Sequence, residues 1–223
     1  MLCLQSLVDL NLEKTDTRIM PMEESIFGVY YEENIVKEYF NEFFQGEEIG
    51  VSIICIYIRY LFEKLLCPRN LTRQFSFLSP HRVSMVLIEK DPKPVEEYMV
   101  AELMKTKDLQ KLFFAPLYFD KYGDWVLVVI DAVSEIVYYL DPLLGDPNSH
   151  PNMKKFLNTV LQKFRSLRGA RVQRSKLNNI SWIRIQCPRQ RNSIDCGYFV
   201  MRFMKEIVIS NKIEIPVSYF DDF

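Results

Sequence analysis

Cys196 carries the most chemical information in this sequence. It follows a polar stretch, Gln190 to Asp195, and opens a run in which Phe199, Val200, Phe203 and Ile207 recur at helical steps. That spacing predicts a helix with one buried face, with Cys196 at or near its first turn. A helix N-terminus presents unpaired N–H groups and partial positive charge, and both favour a thiolate. Asp195, beside the helix start, is the expected N-cap. On position alone, the commoner role of such a cysteine is a small buried apolar residue.

The chain offers Asp124-Trp125 before an apolar run, Asp141 at the end of Tyr138-Tyr139-Leu140-Asp141, and Gln190 ahead of the cysteine. Taken singly these have ordinary explanations. Gln190 is a surface loop residue, Asp141 before Pro142 is a turn residue, and Trp125 is core. There are only 2 histidines. His81 follows Ser79-Pro80 at an expected helix start, and His150 lies in the loop after Asp141.

Composition narrows the classes. The chain has 223 residues, suited to one domain with an N-terminal extension, and 48% of them are apolar, enough for a sizeable core. The formal net charge is −1 and no Lys/Arg block stands out, so no nucleic-acid partner is expected. The 5 cysteines are scattered, with no C-x-x-C pair. This argues against a zinc site and a disulfide framework and for a reducing, intracellular compartment, nucleus or cytoplasm. No metal or other cofactor is expected. The N-terminus lacks a basic n-region and carries Asp9 within its apolar part, unlike a signal peptide. Ile49 to Ile58 is too short to span a bilayer, so no membrane role is expected.

The positioning elements can be read in order. Residues 1–31 are weakly patterned, an expected loose extension, and residues 32–223 form the domain. Glu32 to Phe44 has helical spacing, and Val51 to Leu66 reads as a buried helix stopped by Cys67-Pro68. Gln74 to Leu78 is a short apolar segment, and Pro92 to Lys107 is helical. Lys111 to Phe119 reads as a strand in which Pro116 marks an edge or strand end. Trp125 to Ile130 is continuously apolar, as in a central strand buried on both faces. Glu135 to Leu140 and Ile180 to Gln186 are strands, with a helix from Met153 to Leu167 between them. The tail from Ile213 is a further strand or a loose end. Helices, then strands, then a cysteine-bearing helix make an α+β domain.

In this order the motifs resemble the ubiquitin-like-protein protease (Ulp) family of cysteine peptidases. The residues that carry the resemblance are the Q-x-x-x-x-D-C-G form of Gln190 to Gly197, the run Asp124 to Asp131, and Tyr138 to Asp141. Cys187-Pro188-Arg189-Gln190 and Ile54 to Leu61 look most like the transposon-associated Ulp-like proteins of plants. The resemblance covers roughly residues 50–210. It implies a central mixed sheet flanked by helices, with the nucleophile at a helix N-terminus. It implies cleavage of SUMO or related modifiers, NEDD8 among them, through a Cys196 thioester by a monomeric domain. It assigns Cys196 as nucleophile, Gln190 as oxyanion donor and Asp141 as the carboxylate that orients the base. Trp125 walls the channel for the modifier's C-terminal residues. Related domains continue past the cysteine helix, whereas this chain stops at Phe223, as if truncated.

At one position the chain departs from the family. Asp124 stands where the family has histidine before Trp. A carboxylate near pKa ~3.9 is several units too weak as a base for a thiol near ~8.5. Its negative charge also pushes the thiol pKa up, whereas an imidazolium would hold the thiolate. His150 can substitute only if its loop folds back over the cleft. Three readings follow: a peptidase with impaired chemistry, a pseudoprotease that binds a ubiquitin-like protein, or a mobile-element remnant.

Overall fold

The computed structural model describes residues 17–121, 123–169 and 180–220. Residues 1–16 of the expected extension lie outside them. The rest of that segment takes up structure. Strand β1 (Thr17–Met22) pairs antiparallel with β2 (Tyr31–Val36) around the short helix α1 (Glu24–Phe27). The helix expected over 32–44 therefore begins late, as α2 (Lys37–Gln45). Alternation decides this: Glu33 and Ile35 are buried while Glu32 and Asn34 are exposed, the period of a strand.

Helix α3 (Val51–Leu61) buries Ile53, Ile54, Cys55, Ile58 and Leu61 and continues as a wider π turn over Phe62–Leu66. After it come strand β3 (Phe75–Phe77) and helices α4 (Met85–Lys90) and α5 (Pro92–Lys105). His81 lies in the turn ahead of α4, whose N-cap is Ser84, accepting from Leu87 N–H at 3.3 Å. Strands β4 (Leu112–Phe119), β5 (Asp124–Asp131) and β6 (Ile136–Leu140) follow, then helix α6 (Pro151–Arg168), strand β7 (Ser181–Arg184) and helix α7 (Cys196–Ser210). Proline at the first position of α5 and of α6 removes an N–H that would have no partner there.

The sheet order is β3-β4-β5-β6-β7. The outer pairs are parallel and the inner pairs antiparallel, so the sheet is mixed and the fold is α+β. β3 stops pairing at Phe114, so the half of β4 that carries Pro116 has a free edge, where a missing N–H does no harm. Each face of β5 supports one core. Trp125, Leu127 and Val129 pack under α3 and α7. Val126, Val128 and Ile130 pack with residues of α4, α5 and α6. The segment after α7 is no strand among the described residues. It packs through Ile215 and Phe220, and Gln186 N–H donates to Val217 C=O at 2.8 Å. No described helix is long and apolar enough to cross a membrane.

Candidate active site

Three strand or helix ends converge at one edge of the sheet: the β4–β5 turn, the C-terminal end of β6 and the N-terminus of α7. Gly123 closes the β4–β5 turn in the left-handed region, φ 70°, and its N–H donates to Phe119 C=O at 2.9 Å. Its carbonyl lies 3.7 Å from Cys196 Sγ. Cys196 is the first residue of α7 and is fully buried. The next residue must be glycine for a steric reason. A Cβ at Gly197 would lie 2.4 Å from Ile49 Cγ1 and 3.4 Å from Trp125 Cδ1.

Asp195 does not cap the helix with its side chain. Its carboxylate accepts from Asn192 Nδ2 at 2.8 Å, and Asn192 Oδ1 accepts from Asp195 N–H at 3.0 Å. The loop is thus held by an Asx arrangement one turn earlier, and the helix's first N–H groups stay clear of a side-chain acceptor. The N–H groups of Trp125 and Gly197 point at the sulfur and favour its thiolate. Other terms outweigh them. Burial pushes the Cys196 thiol up, and the carboxylates of Asp124 and Glu48 push it further. Asp124 itself is pushed up by burial, then by Asp141 and Glu48. The thiol faces a group of carboxylates that repel a thiolate and one another.

Asp141 is buried and fully engaged. Tyr139 OH donates to Oδ2 at 3.0 Å and Leu143 N–H to Oδ1 at 2.7 Å. Cys187 Sγ bonds the Asp141 carbonyl at 3.2 Å, and burial pushes that thiol up to about 11. Gln190 is 3% exposed, so it is no surface loop residue. Its backbone N–H donates to Pro142 C=O at 3.0 Å, and its Nε2 donates to Asn192 C=O at 2.8 Å. The amide has a second N–H, and its Oε1 is buried without a partner.

Trp125 is both core and wall. Its Nε1 donates to Ile49 C=O at 3.0 Å, its ring lies against Tyr118, and it lines a cleft of about 650 Å³ with Glu48, Ile49, Gly50 and Asp120. His150 stands between the 3-10 turn Pro147–Ser149 and α6, its ring 4.2 Å from that of Phe119 and 6.3 Å from that of Tyr139. Burial pushes its pKa down, with Asp141 opposing. His81 lines the far wall of the Trp125 cleft, 2.8 Å from Glu33 Oε2. Sequence reasoning missed Glu48 and Tyr118, whose OH donates to Glu48 Oε1 at 2.8 Å. Nothing in Glu47-Glu48 signals a partner far along the chain.

The site is a buried thiol at a helix N-terminus, set against the strand ends of a mixed sheet. Residues 47–218 match the Ulp1 protease family, C-terminal catalytic domain, and the chain belongs to that family. Solved structures agree on the fold. The yeast Ulp1 protease domain in complex with Smt3, the yeast ortholog of SUMO, is 18% identical over 94% of this chain and 85% of its own, with TM-score 0.62. The Ulp1-like SUMO protease catalytic domain of Chaetomium thermophilum is 16% identical over 88% and 74%, with TM-score 0.58. The Xanthomonas campestris effector XopD bound to ubiquitin is 15% identical over 74% and 76%, with TM-score 0.54. A search of curated proteins finds no match to the sequence.

Proposed function

We propose that this domain binds the C-terminal tail of a ubiquitin-like modifier, of SUMO or NEDD8 type, in the cleft beside Trp125. Cys196 is its nucleophile, and hydrolysis at this centre is strongly impaired. Gln190 and the N–H groups at the start of α7 are the oxyanion donors, and Asp141 is the carboxylate in the position that orients the family's base. The cleft supports a tail of basic character: Glu42, Glu48 and Asp120 all line it. The yeast neighbour was solved with Smt3 and the XopD neighbour with ubiquitin, which supports a partner of this class.

One observation carries the impairment. Asp124 occupies the first position of β5, directly before Trp125, and its charge raises the Cys196 thiol pKa. Thioester formation needs a base that removes the thiol proton and then returns a proton to the leaving amine. A carboxylate does neither at neutral pH, because its own affinity for a proton is too low and its charge opposes the thiolate.

The test uses ubiquitin-like modifiers carrying C-terminal electrophiles, with fluorogenic conjugates followed in parallel. Wild type is silent in turnover, and Asp124→His cleaves. Turnover by the wild type that disappears in Cys196→Ala overturns the impairment and makes His150 the next residue to replace. No binding and no labelling by either protein overturns the modifier-binding reading.

A further inference from the structure

A second cluster, apart from the Cys196 site, joins the three side-chain types that bind a borderline-soft cation. Glu33 of β2, Cys55 of α3 and His81 of the turn after β3 each offer one ligand atom, and these atoms lie within 4.8 Å of one another. Glu33 is 5% exposed and Cys55 0%. One Glu33 oxygen meets His81 Nε2 at 2.8 Å, and the other accepts from Ser52 Oγ at 2.7 Å. An ion pair between Glu33 and His81 accounts for those two residues alone. It leaves a buried thiol beside them. The Tyr31 hydroxyl reaches both the Cys55 thiol and Ser79 Oγ, so the cluster continues into a chain of polar side chains. Ser79 is 0% exposed. A cleft of about 420 Å³, lined by Tyr31, Ser79 and His81, opens onto the cluster.

We propose that Glu33, Cys55 and His81 bind one Zn²⁺-class cation, with the fourth position open to this cleft. The donor set fits such a metal: thiolate, imidazole and carboxylate bind Zn²⁺ at ~2.3, ~2.0 and ~2.0–2.2 Å. The His81 side chain is 40% exposed and sits in a turn, so it can swing to admit the ion. Charge balances as well. A carboxylate and a thiolate neutralise the dication, the imidazole binds neutral, and the Cys55 proton leaves to solvent. The three ligands come from separate elements, and the ion joins the β1–β2 hairpin to α3 and to the turn after β3. His81 also lines the Trp125 cleft, so the ion braces one wall of it. The site does not rest on the modifier-binding reading.

The test is a titration of the full chain, reduced and stripped of metal by chelation, with Co²⁺ alone. A thiolate-to-cobalt charge-transfer band saturates at one equivalent in the wild type and in Cys196→Ala. It is absent in Cys55→Ala. His81→Asn, in a half-exposed turn that tolerates the change, weakens binding at least about tenfold. Zn²⁺ displaces the cobalt and raises the melting temperature of the wild type but not that of His81→Asn. No band in the wild type, a band that survives in Cys55→Ala, or equal affinity in a folded His81→Asn each overturns the site.

Discussion

Cys196 and Cys55 are both fully buried, and in both cases burial and a carboxylate push the thiol pKa up. Their neighbourhoods differ in one complementary way. Cys196 has a backbone setting that favours a thiolate: first position of α7, with N–H groups of Trp125 and Gly197 directed at the sulfur. Its charged neighbours are Asp124 and Glu48. Cys55 has an imidazole and a carboxylate close by but sits inside α3, where backbone N–H groups are already committed to the helix. Neither cysteine has both halves of a thiol catalyst. The side chains that look most like a triad by residue type stand where the backbone cannot support acyl transfer. The position where it can has Asp124 and Glu48 as its charged neighbours.

The strongest way to break this contrast is to supply the missing half. Asp124→His places an imidazole before Trp125, and kcat/KM on a ubiquitin-like conjugate rises on the order of 10²- to 10⁴-fold, the usual range for general acid–base catalysis. A variant that still binds a modifier but gains no turnover would show that more than the base is missing.

A second change attacks the backbone half. Gly197→Ala drives a methyl into Ile49, whose Cγ1 would be 2.4 Å from the new Cβ. Overpacking of this kind costs about 1–3 kcal/mol, read as a lower denaturation midpoint. Combined with Ile49→Ala, which removes Cγ1, it costs less than the sum of the two single changes, whereas additive effects would rule out the contact as the cause.

The smallest effect sharpens the electrostatic side. The fold raises the Asp124 pKa, so the ionised form is disfavoured in the native state relative to the unfolded chain. Asp124→Asn therefore melts above the wild type at neutral pH. The difference shrinks as pH falls through the raised carboxyl pKa and the wild-type side chain takes up its proton. The same variant moves the pH midpoint of Cys196 alkylation downward, since a charge that raises the thiol pKa is gone. An unchanged midpoint would remove Asp124 from the account of the thiol.

Much of the centre of the fold was legible. β5 announced itself as a continuous apolar run because it is buried on both faces, and α7 by its apolar spacing. The β2 segment was misread because Ile35, Tyr39 and Phe43 mimic one helical face, while pairing with β1 is non-local and leaves little local signal. Asp195 was the expected cap by type, but Asn192 takes its carboxylate.

The sequence by itself determined the order of Asp124, Trp125, Asp141, Gln190 and Cys196 along the chain, and with it the family the chain belongs to. Residue types in a fixed order survive translation into a line of letters. Only the tertiary structure decided that Glu48 faces Cys196, that Gln190 is buried and that Glu33, Cys55 and His81 meet. These facts depend on which strand pairs with which and which helix face turns inward. Those choices are made by packing between elements far apart in the chain, and no local spacing encodes them.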